Sequence, residues 1–142
     1  MRVWITIGAL LLLAACGSRG PGTPLTSGWS EPAGKYEYTL QSTCGERLVH
    51  GRMKLTVDGG KVVEAVGLDE PGRGTVEVAK LENLPSLKGL LAEYEQAVRD
   101  GADKAKVEFD PADGHPTFID LDPYRNSIDD EACYRISGYR AL

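Results

Sequence analysis

His50 and His115 are the two histidines of a 142-residue chain, and His115 stands close behind Asp110 and Asp113. A histidine with carboxylates nearby offers two chemistries. As a general base oriented by an aspartate it would activate a hydroxyl nucleophile, and Ser42, Ser127 and Ser137 are available. None of the three lies in the Gly-x-Ser-x-Gly elbow that exposes such a serine. As a metal ligand, a histidine would join Asp110 or Asp113 around zinc, which takes roughly three or four N, S or O donors from protein. His50, however, falls at the polar parity of a strand, and His115 sits in a turn before Pro116. Solvated or locally bonded histidines are the simpler reading. Asp110, Asp113, Asp120, Asp122, Asp129, Asp130 and Glu131 make the C-terminal third acidic. Crowded carboxylates are raw material for calcium, which takes roughly six to eight oxygen ligands. The EF-hand spacing fails here, because Pro111 and Phe109 occupy the places that ligands would need before Gly114. A solvated acidic rim, partly neutralised by Arg125 and Arg135, is expected instead. Pro71-Gly72-Arg73-Gly74 lacks the Gly-Lys-Ser/Thr ending of a phosphate-binding loop and reads as a plain loop. The expectation is therefore no catalytic residue, no metal site and no cofactor.

The one stretch that spells out a covalent reaction is Leu13-Ala14-Ala15-Cys16. It reads as a lipobox, in which the cysteine thiol is alkylated by a diacylglycerol. A thiolate is the soft nucleophile that this step requires. The flanks agree. Arg2 is a basic start, and Val3 to Leu13 is an almost unbroken apolar run. As a helix that run would measure about 16 Å, too short for a hydrocarbon core of roughly 30 Å and suited to the apolar part of a signal peptide. Residues 1–15 are thus expected to be a lipoprotein signal peptide, with the lipid on Cys16 as the membrane contact and palmitate among its acyl chains. The net charge of the chain is −5. Without Arg2 the remainder holds 15 basic against 21 acidic residues, a net of −6. That balance argues against nucleic acid and against a polybasic membrane patch. The other cysteines are Cys44 and Cys133. With Cys16 committed to lipid, an even pair remains on the extracytoplasmic side, where disulfides persist, and a Cys44–Cys133 bond is expected. By strict alternation Cys44 shares parity with Tyr36, Tyr38 and Leu40, whereas Cys133 opposes Tyr134 and Ile136, so the bond requires alternation to break near Cys44 or at the sheet's end.

The elements that would position these residues are read from hydropathy. Residues 16–34 are rich in Gly, Ser, Pro and Thr without apolar period, as in a flexible tether; Trp29 within it is either a contact for a partner or headgroup layer, or a ring packed on its own domain. Residues 35–142 form one domain of ordinary size. Tyr36, Tyr38 and Leu40 alternate with polar residues, as do Met53, Leu55 and Val57, and Asp58-Gly59-Gly60 supplies a hairpin turn before a third strand at Lys61–Val66. Thr75–Ala79 fits either a short strand or an approach to the helix. Leu87, Leu90, Leu91, Tyr94, Ala97 and Val98 carry a helical period over 86–100, with Ser86 as N-cap and Gly101 just past the end. Alternation resumes at Lys104–Phe109, Thr117–Leu121 and Glu131–Tyr139. Strands on both sides of one helix predict α+β: an antiparallel meander sheet of five to six strands with the helix packed on one face.

Tyr36-x-Tyr38-x-Leu40, Val57-Asp58-Gly59-Gly60-Lys61-Val62-Val63, Asp110-Pro111-Ala112-Asp113-Gly114-His115-Pro116-Thr117 and Asp129-Asp130-Glu131-Ala132-Cys133-Tyr134 occur in that order. As an ordered set, over residues 35–140, they resemble an uncharacterised family of bacterial, chiefly actinobacterial, secreted lipoproteins catalogued as domain of unknown function 6174. The resemblance implies a lipoprotein or secreted protein and adds no catalytic residue. Many members carry Cys-x-Cys after the first strand; here Cys44-Gly45-Glu46 stands in its place. The sequence as a whole leads to the expectation of a monomeric, non-enzymatic domain, lipid-anchored on the extracytoplasmic face of the cell membrane, that binds an envelope protein or a small ligand. A small hydrolase using His115 with an aspartate and a metal-responsive envelope sensor are the alternatives.

Overall fold

The computed structural model describes residues 28–142; the expected signal peptide, Cys16 and most of the expected tether lie outside them. Six strands and two α-helices run in the order β1 (Tyr36–Ser42), β2 (Gly51–Asp58), β3 (Lys61–Gly67), α1 (Glu70–Val78), α2 (Leu87–Arg99), β4 (Lys104–Phe109), β5 (Pro116–Asp122) and β6 (Ala132–Ala141), with a 3-10 turn at Leu81–Asn83 between the helices. The fold class is α+β, and the strands form one antiparallel sheet in the order β3-β2-β1-β6-β5-β4. It is not a single meander. Two three-stranded meanders, β1–β3 and β4–β6, join where β1 pairs with β6, so the first and last strands lie side by side in the middle of the sheet.

Period-two alternation translates directly into burial. Tyr36, Tyr38 and Leu40 are opposite Val57, Leu55 and Met53 in register, and all six are fully buried. Across the β1–β6 seam Leu40 meets Ile136, and Ile119 and Leu121 of β5 meet Tyr134 and Ala132. Leu87, Leu90 and Tyr94, one stripe of α2, are buried in the same apolar cluster. Two tyrosine hydroxyls tie the start of α2 to β1: Tyr38 donates to the Pro85 carbonyl at 2.5 Å, and the Leu87 N–H donates to the Tyr36 oxygen at 3.1 Å. Ser86 caps the helix by accepting from the Gly89 N–H at 3.2 Å, and Gly101 comes next after Asp100 at φ +74°.

α1 corrects the sequence reading, which made Pro71-Gly72-Arg73-Gly74 a loop and expected one helix. Asp69 is the N-cap, its carboxylate accepting from the Gly72 N–H at 2.7 Å, and Pro71 falls in the first turn, where its missing N–H costs nothing. The glycines are poor helix formers, but a Cβ on Gly72 would come 2.0 Å from the Arg52 carbonyl oxygen. Close packing against β2, which a local scan cannot register, selects glycine here and stabilises the helix. Thr75, also within α1, donates to the His50 carbonyl at 2.7 Å. Among the described residues no helix is long and apolar enough to cross a membrane.

Candidate functional site

The turn between β4 and β5 gathers the only cluster of His, Asp, Glu or Cys donors with metal-binding spacing among the described residues: Asp110, Asp113 and His115, with ligand atoms within 4.8 Å of one another. The turn is closed by backbone bonds from Asp110 N–H to the His115 carbonyl and from Gly114 N–H to the Asp110 carbonyl, both 2.8 Å. Gly114 at φ +80° makes the reversal. Side chains complete it. Asp110 accepts from the Ala112 N–H at 2.8 Å. Asp113 accepts from the His115 N–H at 3.0 Å and pairs with its Nδ1 at 2.5 Å. The backbone bond from His115, then its ring, hold the Asp113 carboxyl below the usual carboxylate range.

His115 is buried rather than solvated, with 9% of its surface exposed. Its ring stacks on Tyr139 at 4.5 Å between centroids. Tyr139 reaches this side of the sheet because β6 bulges: Thr39 pairs with Ser137 but Glu37 with Arg140, and Gly138 takes φ +61°. The extra residue reverses the parity of the strand beyond it. Tyr139 also lies edge-on to Trp29 at 6.3 Å, so Trp29 packs on its own domain. Glu31, also placed in the tether by sequence, accepts from the Tyr36 hydroxyl at 2.5 Å. Chemically, this end of the molecule supplies a histidine oriented by a carboxylate, or three donors for a divalent cation. Among the described residues no hydroxyl or thiol is hydrogen-bonded to the His115 ring.

The other residues considered from sequence are dispersed. His50 is exposed. Ser42 is fully buried with an unpartnered hydroxyl, and Ser127 and Ser137 are exposed. Asp120 is bridged to Lys104 at 2.6 Å. Asp129 holds φ +71° and accepts the Glu46 N–H through its carbonyl at 3.0 Å. Both carboxylate oxygens of Asp130 are buried without a bonding partner.

A second polar centre has no counterpart in the sequence reading. Tyr134 of β6 donates to Glu93 of α2 at 3.0 Å, and Glu93 also takes the Arg47 guanidinium. Burial, then the Glu93 carboxylate, push the Tyr134 phenol above its ordinary range. Beside this triad opens a cavity of about 350 Å³ lined by Gln96, Asp100, Leu121 and Tyr124 as well as by Arg47 and Glu93. The three partners come from a loop, a helix and a strand, so no local spacing announces them.

Cys44 and Cys133 are bonded, with Cα atoms 5.4 Å apart across 89 residues of sequence. Alternation does break where the bond needs it. β1 ends at Ser42, and Gly45 turns at φ +73° so close to the chain entering β6 that a Cβ would sit 2.1 Å from the Glu131 carbonyl oxygen. The chain belongs to a family of unknown function (DUF6174), whose family model matches residues 29–141. No curated protein and no solved structure matches it.

Proposed function

We propose that this DUF6174 member is a lipid-anchored extracytoplasmic domain that binds a partner in the cell envelope and is not an enzyme. The observation that carries the reading is the Cys44–Cys133 bond. Disulfides of this kind belong to oxidising compartments, and the address at Leu13-Ala14-Ala15-Cys16 points to the same place. In this reading residues 1–15 are removed, the lipid on Cys16 holds the protein to the membrane as a monomer, and the segment up to residue 28 links it to the body. The helix α2 covers one face of the sheet and leaves the other free for a partner. The test is phase partition. Wild-type protein made in its own host should enter the detergent phase and Cys16→Ser the aqueous phase; wild-type protein that is aqueous and carries no acyl mass would refute the anchor.

A metal-responsive domain is the second reading, favoured by the Asp110, Asp113 and His115 donors within 4.8 Å. The bonds inside the turn already account for each of these side chains, so the turn is read as structural. Calorimetric titration with zinc decides between the two: heat at low-micromolar zinc that vanishes in His115→Asn would restore the sensor.

A further inference from the structure

The sheet face opposite the apolar cluster holds an ordered row. From edge to interior, Glu108, Phe118, Arg135, Gln41 and Arg52 stand opposite one another on β4, β5, β6, β1 and β2. Apart from two arginines, the charges on this face are largely neutralised. Glu37 accepts from Lys54 at 3.1 Å and Arg140 at 2.7 Å, Lys104 holds Asp120 at 2.6 Å, and Lys106 holds Glu108 at 2.6 Å. Arg52 and Arg135 differ. Both are exposed, and among the described residues neither guanidinium has a carboxylate within ion-pair distance. Asp69 feels the Arg52 charge, but its carboxylate is engaged by backbone, accepting from the Arg52 N–H at 2.9 Å and capping α1. Arg135 is held over the Phe118 ring at 5.0 Å, a cation–π contact that uses none of its N–H donors.

We propose that this row is a docking surface for an acidic, extended segment of an envelope protein, with carboxylates three residues apart in polyproline-II conformation. The inference rests on the binding reading above and names its surface and partner chemistry. Charge complementarity supplies the first argument: two unpaired guanidiniums favour bidentate pairing with carboxylates. Spacing supplies the second. Arg52 and Arg135 are two strands apart, about 9.5 Å, and residues i and i+3 of a polyproline-II segment lie on one side at about 9.3 Å. Gln41, between the arginines, offers a donor and an acceptor to a backbone that in this conformation bonds to nothing within its own chain. The overall negative charge of the chain does not forbid the approach, since at physiological ionic strength its field is screened beyond about 8 Å.

The test uses the purified disulfide-bonded domain and a fluorescein-labelled peptide of repeated Glu-Pro-Pro, read by anisotropy. Binding should weaken steeply with added salt and be lost in the Gln-Pro-Pro version. Arg52→Gln and Arg135→Gln should each weaken it about tenfold with the melting temperature unchanged, while Arg73→Gln, outside the row, should leave it as it was. No binding of the acidic peptide, binding indifferent to both arginines, or tighter binding to polyphosphate or to vesicles of anionic lipid would overturn the proposal. A domain that is membrane-anchored yet fails to bind the peptide sinks only the docking surface. A domain that binds it but is found in the cytoplasm sinks only the envelope reading.

Discussion

Leu55 and Lys54 are neighbours on β2, yet they belong to two differently built halves of the molecule. Leu55 faces Tyr38 across the strand pair and is wholly buried, in a layer where the Tyr36 and Tyr38 hydroxyls and the start of α2 are hydrogen-bonded to each other. Lys54 faces Thr39 and pairs with Glu37 at 3.1 Å at the surface. On the first face, removing atoms leaves a hole or an orphaned hydrogen bond. On the second, charges lie in high dielectric and substitution costs little. That asymmetry is why a partner surface can be built on the open face without endangering the fold, and it can be broken or sharpened by mutation.

The largest effect is expected at the covered face. Leu55→Ala should cost about 2–5 kcal/mol, measured by urea unfolding. Next comes the disulfide. Cys44→Ala/Cys133→Ala should lose about 2–4 kcal/mol, the usual range for a bond closing a long loop, and the loss should be matched by reductant acting on the wild type. High pH ranks third. Burial first, and Glu31 second, raise the Tyr36 phenol far above its ordinary value, and burial raises Tyr38 likewise. Their protonated forms are favoured by folding, so this stability is complete below the unfolded value of about 10 and falls as pH climbs above it, at most about 1.4 kcal/mol per pH unit for each tyrosine. A melting temperature flat between pH 9 and about pH 11.5 would contradict the buried network. Tyr38→Phe, which orphans the Pro85 carbonyl, should cost about 1–2 kcal/mol. Lys54→Ala should show only a small fraction of the Leu55→Ala loss, and high salt should erase the difference.

The two helices show what could be read in advance. α2 carries its apolar stripe, its serine cap and its terminal glycine within one window, so its place followed from local rules. α1 carries two glycines and a proline, and its helicity depends on Asp69 and on contact with the Arg52 carbonyl in another element. Likewise the alternation of β1, β2 and β5 named the core, whereas the Gly138 bulge that brings Tyr139 onto His115 depends on pairing between strands far apart in sequence. His115 is the locally bonded turn residue that the sequence suggests, but the burial of its ring under Tyr139 was not legible. The cysteine pairing was legible because the count of cysteines, with the compartment expected from the sequence, constrains it without geometry. The Arg47, Glu93 and Tyr134 centre was not, because its members meet only after the sheet closes through β1 and β6.

The most direct test of the anchored, exported domain is the intact mass of the protein taken from membranes of its own host without reductant. The predicted species begins at Cys16, carries diacylglycerol on that residue and has lost two hydrogens to the Cys44–Cys133 bond. A chain that retains residues 1–15, lacks acyl mass and titrates as free thiols would contradict the account.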